Sequence, residues 1–324
     1  MKVKDQVLAL LEEQRDVYLS GAELARRLGV SRAAVWKGVE ALREEGFRID
    51  AVSNRGYRLA PGSEVFSPRS IARYLGADSP FQIRAVPVTG STNDDLKALA
   101  AAGAPEGTVL AAEAQTGGKG RLGRSFFAPA GSGVYFSLLL RPRCRAEEAI
   151  FITTAAAVAV CEAVEALAGG RAEIKWVNDI WREGRKVCGI LTEAAADLES
   201  GALEYAVLGI GVNLREPERG FPRELRDVAG ALFKNEEPPR EARSRLTAEI
   251  LKRFWAYYLE LEKKTFLEPY RKRSLLPGRE VLVLRGEESR KALALEVDER
   301  CRLLVRYEDG TEEALSSGEV SIRL

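Results

Sequence analysis

Apolar residues in the first sixty positions repeat first at helical spacing and then at strand spacing. A first helix is centred on four aliphatic residues, namely Val7, Leu8, Leu10 and Leu11. Further helices are predicted from Gly21 to Leu28 and from Arg32 to Glu45, and the glycines Gly29 and Gly46 end them. Residues 47–59 then alternate in two short strands around the polar turn 53–56. This order is typical of a winged helix-turn-helix.

Capping residues support the two later helices. Ser20 precedes the second helix, with Glu23 three residues further on as a capping box, and Ser31 precedes the third helix. A small residue lets the two helices cross closely, and glycine allows the tight turn between them. The small, turn and apolar positions of this motif are held by Ala25, Gly29 and Val35.

The winged helix-turn-helix also predicts which side chains meet DNA. In this motif the third helix lies in the major groove, and the wing gives further contacts. The residues so placed are Ser31, Arg32, Ala33, Trp36 and Lys37 on the helix and Asn54 and Arg55 on the wing. The alternative is a small helical domain that binds protein or has no partner.

Strands and helices alternate through the middle of the chain, which favours an α/β or α+β fold. A short helix is predicted after Ser67, with Pro68 at its first position. The strand-like runs are Gln82–Val88, Thr108–Ala112, Gly133–Leu140, Ala172–Trp176, Arg185–Glu193 and Ala206–Val212. The helix-like runs are Thr92–Ala102, Ala146–Leu167, Pro222–Leu232 and Arg240–Tyr270. The helix from Ala146 is apolar on most faces, so we expect it to be buried against the sheet.

The last fifty residues alternate in short strands. These are Glu280–Leu284, Lys291–Val297, Leu303–Tyr307 and Glu312–Ser316, with a hairpin turn at Asp309 and Gly310. A small β-barrel of the SH3-like kind fits this pattern. With Pro61 and Gly62 marking a boundary, we expect an α+β multidomain protein with domains at residues 1–62, 63–274 and 275–324.

Composition narrows the chemistry. The net charge is +1, so any nucleic-acid binding must come from a local patch. The chain has no histidine, which excludes Ser-His-Asp and Cys-His catalysis and histidine-ligated zinc. Its four cysteines are scattered and are expected to be buried thiols in a reducing cytoplasm. No run of about 18 apolar residues and no signal peptide is evident, so no membrane partner is expected.

The segment from Gln115 to Arg124, QTGGKGRLGR, combines four glycines with three cations. Glycine allows close backbone approach to a ligand, and fixed cations beside exposed N–H groups suit a phosphate or a carboxylate. A solvated, flexible basic loop is the plain alternative. A Walker A phosphate loop is excluded because its Gly-x4-Gly-Lys-Ser/Thr spacing is absent.

Two further motifs flank this loop, GSTND from Gly90 to Asp94 and KWVND from Lys175 to Asp179. In this order, the three motifs resemble the catalytic domain of biotin protein ligases. With the N-terminal segment, the resemblance extends over essentially the whole chain to the bifunctional ligase/repressor form, the BirA type. It implies a central mixed β-sheet flanked by helices, the class II synthetase-like biotin/lipoyl ligase fold, and a C-terminal SH3-like barrel.

The resemblance implies two steps: biotin and ATP form biotinyl-5′-AMP, and a carrier lysine then accepts the biotinyl group. It gives Arg121 and Lys175 to catalysis. It gives biotin contacts to Ser91, Thr92, Asn93, Gln115, Lys119, Gly120, Arg121, Lys175, Gly189 and Leu191. It gives adenylate contacts to Lys119, Arg121, Arg124, Asn178 and Asn213. The implied cofactors are ATP and Mg²⁺, the latter brought by ATP, with biotin as substrate.

Plain structural roles remain open for these residues. Ser91 and its neighbours suit a helix N-cap, a lone lysine is usually solvated, and residues 186–193 and 209–214 suit two buried strands. Asn178 and Asp179 either support Lys175 or help to hold Mg²⁺ through water. Many relatives have arginine in place of Lys119, and proline is common in place of Val177.

The implied partners are a biotin carboxyl carrier protein, operator DNA of biotin genes, and a second copy of the chain. The loop at 117–124 is expected to become ordered around the adenylate and to build part of the dimer surface. Two other functions remain: a lipoyl or octanoyl transferase of the same fold, and a ligand-sensing regulator without catalysis. The loop after Gln115 and the helix-turn-helix argue against the first, and Arg121 and Lys175 argue against the second.

Overall fold

The structure is a computed structural model that describes residues 2–44, 47–60, 66–197, 199, 201–285, 288–316 and 319–322. The predicted end of the third helix at Glu45 and Gly46, and the boundary at Pro61 and Gly62, lie outside the described residues. The three domain boundaries therefore stay predictions.

The N-terminal region has the predicted three helices and hairpin. Its elements are α1 (Val3–Glu13), α2 (Gly21–Leu28), α3 (Arg32–Glu44), β1 (Ile49–Val52) and β2 (Gly56–Leu59). The two strands pair antiparallel. Their own hydrophobic core is formed by Val7, Leu11, Leu19, Leu24, Ala25, Val35, Val39, Leu42, Ile49 and Leu59.

The helix caps follow the sequence with one correction. The Ser20 hydroxyl accepts a hydrogen bond from the Glu23 N–H at 3.0 Å, and the Ser31 hydroxyl accepts one from the Ala34 N–H at 3.1 Å. The predicted capping box is wrong in its second half. The Glu23 carboxylate binds Arg26 and Arg27 on the next turn instead. Two guanidinium partners within one helix turn hold the carboxylate away from the backbone N–H of the cap.

The central domain is built on a seven-stranded mixed sheet. Its strands are β3 (Gln82–Thr89), β4 (Thr108–Gln115), β5 (Gly133–Leu140), β6 (Glu173–Lys175), β7 (Asp179–Arg182), β8 (Arg185–Ala196) and β9 (Leu203–Asn213). They lie in the order β3-β4-β5-β9-β8-β7-β6. Only the pair β3 and β4 is parallel among these described strands. The predicted mixed sheet is therefore confirmed.

Helices cover this sheet. They are α4 (Pro68–Leu75), α5 (Thr92–Ala101), α6 (Ala149–Ala168), α7 (Ala242–Leu259) and α8 (Leu267–Arg273). Residues 146–168 form the single segment, among the described residues, that is long and apolar enough to cross a membrane. In the structure 72% of its apolar window is buried inside the protein, as expected for a core helix packed on the sheet.

Two helix predictions in this domain are wrong. The segment Pro222–Leu232 contains only a short 3-10 turn, Arg223–Leu225, and its carbonyls and amides bond to neighbouring strands and turns. The long run Arg240–Tyr270 is divided, because Lys264 adopts a left-handed backbone conformation between α7 and α8. The short strand β7 was not predicted, since the turn residues before it mask its apolar positions.

The C-terminal region is an antiparallel sheet of five described strands. They are β10 (Glu280–Arg285), β11 (Glu288–Val297), β12 (Leu303–Tyr307), β13 (Glu312–Leu315) and β14 (Glu319–Ile322), in the order β13-β12-β11-β10-β14. The predicted hairpin at Asp309 and Gly310 joins β12 to β13. Closure of this sheet into an SH3-like barrel stays a prediction.

Candidate active site

One pocket gathers most of the residues singled out by the sequence motifs. It lies between the start of α5, the loop after β4, and the strands β5, β8 and β9, and its empty volume is about 320 Å³, which includes open solvent at the mouth. Its walls are formed by Ser91, Thr92, Asn93, Gln115, Lys119, Phe126, Phe136, Gly189, Leu191, Gly209, Ile210 and Gly211. The strand order explains why these distant residues lie together, because β5, β9 and β8 are neighbours in the sheet.

The first polar wall is a chain of hydrogen bonds from α5 to β4 and β5. The backbone N–H and the hydroxyl of Thr92 both donate to the Gln115 Oε1, at 2.8 and 3.0 Å. The Ser137 hydroxyl donates to the Thr92 hydroxyl at 2.7 Å. Ser91 occupies the N-cap position, but its hydroxyl makes no capping bond among the described residues. The simple N-cap interpretation therefore does not account for this buried cluster.

Asn93 joins α5 to the far wall of the pocket. Its Nδ2 donates to the Glu193 carboxylate at 2.8 Å and to the Leu191 carbonyl at 3.4 Å. Its Oδ1 accepts from the Ser137 hydroxyl at 2.6 Å. The close approach requires glycine opposite, because a Cβ built on Gly209 would lie 2.2 Å from the Asn93 Oδ1. The Asn93 side chain is thus held in one orientation.

An ion network ties the glycine-rich loop to α5 and β8. The Lys119 ammonium lies 2.7 Å from the Asp94 carboxylate. Lys97 bridges Asp94 at 2.9 Å and Glu193 at 2.6 Å. Hydrogen bonds from Lys119 and then from Lys97 hold the pKa of Asp94 below its ordinary value. Burial alone would raise the pKa of Glu193, but Lys97 and Asn93 outweigh it and the pKa is lowered. Both carboxylates are therefore ionised at neutral pH.

Phe126 is a pocket residue that the sequence motifs did not identify. A Cβ built on Gly211 would lie 2.5 Å from its ring, and one built on Gly189 would lie 3.2 Å from it. The ring therefore rests on the bare backbone of β8 and β9. The glycines of these strands thus leave room for an aromatic ring from the same chain. The signal available in the sequence was its position directly after the basic loop.

The loop itself is folded back on its own backbone. The Gly120 N–H donates to the Arg124 carbonyl at 2.7 Å, and the Phe126 N–H donates to the Gly118 carbonyl at 2.8 Å. The Gly117 N–H donates to the Gly90 carbonyl at 2.8 Å, which joins the loop to the turn before α5. These bonds hold the loop beside the pocket, where Lys119 and Phe126 form part of the wall.

The predicted catalytic cations lie on either side of Asn178. The Arg121 guanidinium donates to the Asn178 Oδ1 at 3.2 Å, and the Asn178 Nδ2 donates to the Ile190 carbonyl at 2.6 Å. Lys175 ends β6 and pairs across to Asp179 on β7. Its ammonium, half-buried, lies 5.5 Å from the centroid of the Trp181 ring. Neither Arg121 nor Lys175 lines the pocket in this structure, but Asn178 joins Arg121 to the pocket strand β8 at Ile190.

The segment that carries Lys175 and Asn178 is braced by α8 and by the C-terminal region. The Trp176 indole N–H donates to the Cys301 carbonyl at 2.9 Å. The Tyr270 hydroxyl donates to the Val177 carbonyl at 3.1 Å. The buried side chains at both ends of the segment fix its backbone, which is what a positioned cation at a reacting centre requires.

A protein-built metal site is not present among the described residues, where no group of three or more acidic or cysteine side chains converges. Asn178 and Asp179, the two side chains that the sequence suggested as oxygen ligands, already bind other residues of the protein. Asn178 uses both ends of its amide, and the Asp179 carboxylate lies 2.7 Å from the Lys186 ammonium.

The remaining predicted ligand contacts lie apart from the pocket walls. Gly120 and Arg124 belong to the covering loop, and Arg124 is exposed. Asn213, at the end of β9, donates its Nδ2 to the Gly230 carbonyl at 3.0 Å. The bond to Gly230, and not a pocket residue, therefore orients the Asn213 amide.

All seven predicted DNA contacts are exposed on one small domain. They are Ser31, Arg32, Ala33, Trp36, Lys37, Asn54 and Arg55. Trp36 is 54% exposed, which is high for a tryptophan in a domain with its own core. The Arg55 guanidinium lies 4.6 Å from the centroid of the Tyr18 ring, which orients the wing. Ser31 also has the capping role described above.

Three family models match successive parts of the chain. The HTH domain matches residues 3–58, the biotin/lipoate A/B protein ligase family matches residues 85–213, and the biotin protein ligase C-terminal domain matches residues 278–323. The order agrees with the three regions of the structure.

Named relatives cover most of the chain. The bifunctional ligase/repressor BirA of Bacillus subtilis is 37% identical over 231 residues, 71% of this chain and 70% of that protein. The biotin–[acetyl-CoA-carboxylase] ligase of Mycobacterium tuberculosis is 33% identical over 273 residues, 81% of this chain and 97% of that protein. The bifunctional ligase/repressor BirA of Escherichia coli is 29% identical over 311 residues, 94% of this chain and 92% of that protein.

A solved structure of the biotin protein ligase from Aquifex aeolicus in complex with biotin and ATP superposes with a TM-score of 0.60 and 29% identity. The match covers 75% of this chain and 98% of that chain. The pocket geometry, the three family models and the coverage of these relatives agree. The chain belongs to the biotin protein ligase family and, within it, to the bifunctional ligase/repressor type.

Proposed function

We propose that this protein makes biotinyl-5′-AMP from biotin and ATP, transfers biotin to a lysine of a biotin carboxyl carrier domain, and represses biotin genes when loaded with the adenylate. One observation carries the proposal most directly. Polar side chains at the start of α5 and at the end of β4 meet in a pocket whose other walls are largely apolar, and Asn178 joins Arg121 to the pocket strand β8.

The first step joins a carboxylate to a polyphosphate. A biotin carboxylate oxygen bonds to the α-phosphorus of ATP, the bond from that phosphorus to the bridging oxygen breaks, and pyrophosphate leaves. The reaction needs neutralisation of charge and alignment of the two substrates, and it needs no protein nucleophile. A chain without histidine, with Lys119 in the pocket wall and Arg121 joined through Asn178 to the pocket strand β8, suits this requirement.

We assign the head of biotin to the polar cluster. The ureido ring presents two N–H donors and one carbonyl acceptor, and Ser91, Thr92, Asn93 and Gln115 supply short hydroxyl and amide groups around the pocket. Partners within the protein already fix the orientation of Thr92, Asn93 and Gln115, so binding requires little further ordering of these three side chains. Gly189 and Leu191 would contact the apolar part of the ligand from β8.

Arg121 and Lys175 are assigned to the oxygens of the reacting carboxylate and phosphate. Arg121 sits on the loop, and Asn178 holds its guanidinium toward the strand that carries Lys175. Lys119, Gly120 and Arg124 would cover the adenylate from the loop, and Asn213 is a further candidate contact at the end of β9. Lys119 must exchange its bond with Asp94 for any contact with the ligand.

Mg²⁺ is proposed to arrive with ATP, bound to its phosphates. The engaged state of Asn178 and Asp179 fits this assignment better than a resident ion held by the protein. The metal would supply charge neutralisation on the leaving pyrophosphate.

The second step uses the carrier domain as nucleophile. Its lysine amine attacks the acyl carbon of the adenylate, the bond from that carbon to the phosphate oxygen breaks, AMP leaves, and the amine releases its proton. Before that attack the adenylate must be protected from water. The folded loop from Gly117 to Arg124, closed over the pocket by its own backbone bonds, suits this protection.

The N-terminal domain is proposed to bind operator DNA. A single helix-turn-helix on a chain of net charge +1 binds weakly, so we infer two-fold binding by a homodimer formed when the adenylate is bound. The protein is proposed to act in the cytoplasm, where carrier domain, ATP and DNA are together.

Side-by-side adenylation of biotin and lipoate tests the enzymatic part. Pyrophosphate release is measured with ATP and either acid at equal concentrations. We expect release with biotin and only background release with lipoate. Preferential release with lipoate would support a lipoyl transferase of this fold, and no release with either acid would support a regulator without catalysis.

A further inference from the structure

The DNA-binding domain does not share a hydrophobic core with the rest of the described chain. Its ten core residues form one cluster, and the buried residues from Phe66 onward form others. A shared apolar core usually fixes the angle between two domains. Here another kind of contact must fix it, because two half-sites on DNA are read only if both helices are presented at a set spacing.

A buried ion pair crosses the junction. The Arg15 Nη1, just after α1, lies 2.7 Å from the Glu241 Oε1, just before α7, and the two side chains are 7% and 5% exposed. Glu241 also accepts from Arg73 at 3.0 Å and from the Tyr74 hydroxyl on α4. Burial alone would raise the pKa of Glu241, but these partners outweigh it and the pKa is lowered. Glu241 is therefore ionised opposite Arg15 at neutral pH.

The backbone at Glu241 shows that its position is tightly determined. Its φ is +57°, a left-handed conformation that a residue with a Cβ rarely adopts. Such a conformation persists where the surrounding contacts specify it. The contacts here come from two distant places in the sequence, namely Arg15 and the adjacent residues Arg73 and Tyr74 of α4.

A second buried contact runs beside the first. The Ser67 hydroxyl, which caps α4, donates to the Glu12 carboxylate at 3.0 Å. The Ser70 and Ser244 hydroxyls lie 2.8 Å apart and join α4 to α7. Glu12, Ser67, Ser70 and Ser244 are all buried. The junction is thus polar and directional rather than apolar.

The same end of α7 is joined to the active site. The Arg243 guanidinium lies 2.6 Å from the Glu113 carboxylate on β4. Two residues further along β4, Gln115 holds Thr92 at the pocket. Glu241, which pairs with Arg15, is therefore two positions before Arg243, which pairs with Glu113 on the pocket strand β4.

We propose that the Arg15–Glu241 pair is an interdomain lock that sets the angle between the DNA-binding domain and the catalytic domain. In this role Arg15 and Glu241 are positioning residues for reading two half-sites at a fixed spacing. Buried ion pairs add little net stability compared with apolar contacts, but they tolerate few geometries. The inference rests on the proposed repressor function for its DNA readout.

Arg15→Met tests the lock, because Glu241 keeps Arg73 and Tyr74 on its own side of the junction, and Glu12, which lies 3.8 Å from Arg15, keeps its bond from Ser67. DNA is first selected from random duplexes with the full-length wild-type protein, biotin and ATP. Binding is then measured on a series in which the two half-sites are moved apart by one to five base pairs. The matched control is Glu13→Gln, which removes an exposed pair across the same junction, with Arg69 at 3.9 Å and both side chains 49% exposed.

We expect wild type and Glu13→Gln to lose affinity by about tenfold or more when the spacing changes by two base pairs. Arg15→Met should show a flat profile, within about threefold, while its adenylation rate is unchanged. Arg15→Lys should restore part of the dependence on spacing. A sharp optimum retained in Arg15→Met would overturn the lock.

A second measurement is independent of DNA. Spin labels on Lys37→Cys and Lys234→Cys report the distance between the two domains, and both positions are exposed. The native thiols Cys161, Cys188 and Cys301 are buried and Cys144 is partly buried, and burial raises the pKa of all four, which slows their labelling at neutral pH. We expect a narrow distance distribution in wild type and a broad one in Arg15→Met. An equally narrow distribution overturns the lock, whereas failure to select any DNA counts only against the repressor function.

Discussion

Asn93 and Gln115 bond to protein atoms through their amides, so the pocket is ordered by its own polar groups. Gln115 receives two bonds from Thr92, and Asn93 is held between Ser137, Glu193 and the Leu191 carbonyl. Groups fixed in this way present their remaining donors and acceptors to a ligand without losing rotamer freedom on binding. This is the residue-level basis for selectivity toward a ureido ring.

Gly209→Ala should damage that arrangement, because the new methyl group would lie 2.2 Å from the Asn93 Oδ1. Overpacking of this kind costs about 1–3 kcal/mol. We expect the KM for biotin in adenylation to rise about tenfold or more, in keeping with that cost. Gly90→Ala is the matched control, since a Cβ there would meet no described atom within 4 Å. Equal KM values for the two variants would show that Asn93 is not a biotin contact.

Lys175→Ala should slow adenylate formation while the fold survives. Loss of one charge contact at a reacting centre is worth about 3 kcal/mol, or about 10²-fold in rate. The side chain is half-buried beside Trp181, and its removal leaves the braces from Tyr270 and Trp176 in place. Single-turnover formation of biotinyl-5′-AMP measures the effect, with Lys234→Ala as an exposed control. A rate within twofold of wild type would remove Lys175 from the mechanism.

At the scale of elements, the loop between β4 and β5 combines cations with glycines, which allows it to move in a way that a strand of the sheet cannot. Its residues close over the pocket through bonds between glycine N–H groups and carbonyls, and Lys119 fastens it to Asp94 on α5. The pair is exposed by more than 40% on both sides, so it stabilises the closed loop only weakly. A weak fastening suits a cover that must open for both substrates and for the carrier domain.

Arg121→Gly should allow adenylate formation but release the intermediate. The guanidinium joins the loop to Asn178 at 3.2 Å, so its loss removes both a charge and an attachment of the loop. We expect the ratio of free biotinyl-5′-AMP to biotinylated carrier to rise. Leu122→Gly, at a residue 70% exposed in the same loop, separates loop flexibility from loss of charge. An unchanged ratio in Arg121→Gly would contradict the retention role.

The pattern of hydrophobic and turn residues was sufficient to predict most helices and strands. The strand Gly133–Leu140 and the helix Gly21–Leu28 have the predicted bounds, because turn residues mark both ends of each. The prediction failed at Pro222–Leu232, where apolar residues at helical spacing lie in a series of turns. Local spacing cannot distinguish these cases, because part of the segment's hydrogen bonds go to distant residues, Lys186 and Asn213, instead of continuing a helix.

The candidate site was predictable to the extent that motifs mark it. The residues Ser91–Asn93, Gln115 and Lys119 come from motifs and meet in the pocket, although their roles toward ligands stay predictions. Phe126 and Phe136 were not identified as pocket residues. Their places depend on β5 and β9 lying side by side, and on an aromatic ring filling the space above two glycines. Such contacts between distant segments have no local signature.

At the scale of the whole molecule, the polar junction should respond to acid. The pKa of Glu241 is lowered, so its contribution to stability is complete above its ordinary value of 4.5 and is lost as the pH falls through the lowered value. Burial raises the pKa of Glu12, so stability falls as the pH rises from 4.5 through that raised value.

Glu241→Gln isolates the first effect. We expect it to cost about 1–3 kcal/mol of unfolding free energy at pH 7, as for a hydrogen-bonded charged group, and less at pH 4 and below. Urea unfolding at both pH values measures the difference from wild type. A cost that grows as the pH falls would show that Glu241 is not ionised in the folded protein.

Dimerisation is the proposed connection between catalysis and repression. A ligand shifts self-association only by its differential affinity for the two states, so the dimer must bind the adenylate more tightly than the monomer does. We expect sedimentation to show a stronger dimer with a non-hydrolysable adenylate analogue than without it. Unchanged self-association, together with unchanged binding to a palindromic operator, would leave a ligase whose N-terminal domain has no ligand-dependent role.

The most direct test of the account is transfer of labelled biotin from ATP and biotin to a biotin carboxyl carrier domain. The account predicts label on one carrier lysine that requires ATP and the enzyme, is abolished when that lysine is replaced by arginine, and falls about 10²-fold with Lys175→Ala. Absence of label on the carrier with the wild-type protein, under conditions where a known ligase transfers it, would contradict the account.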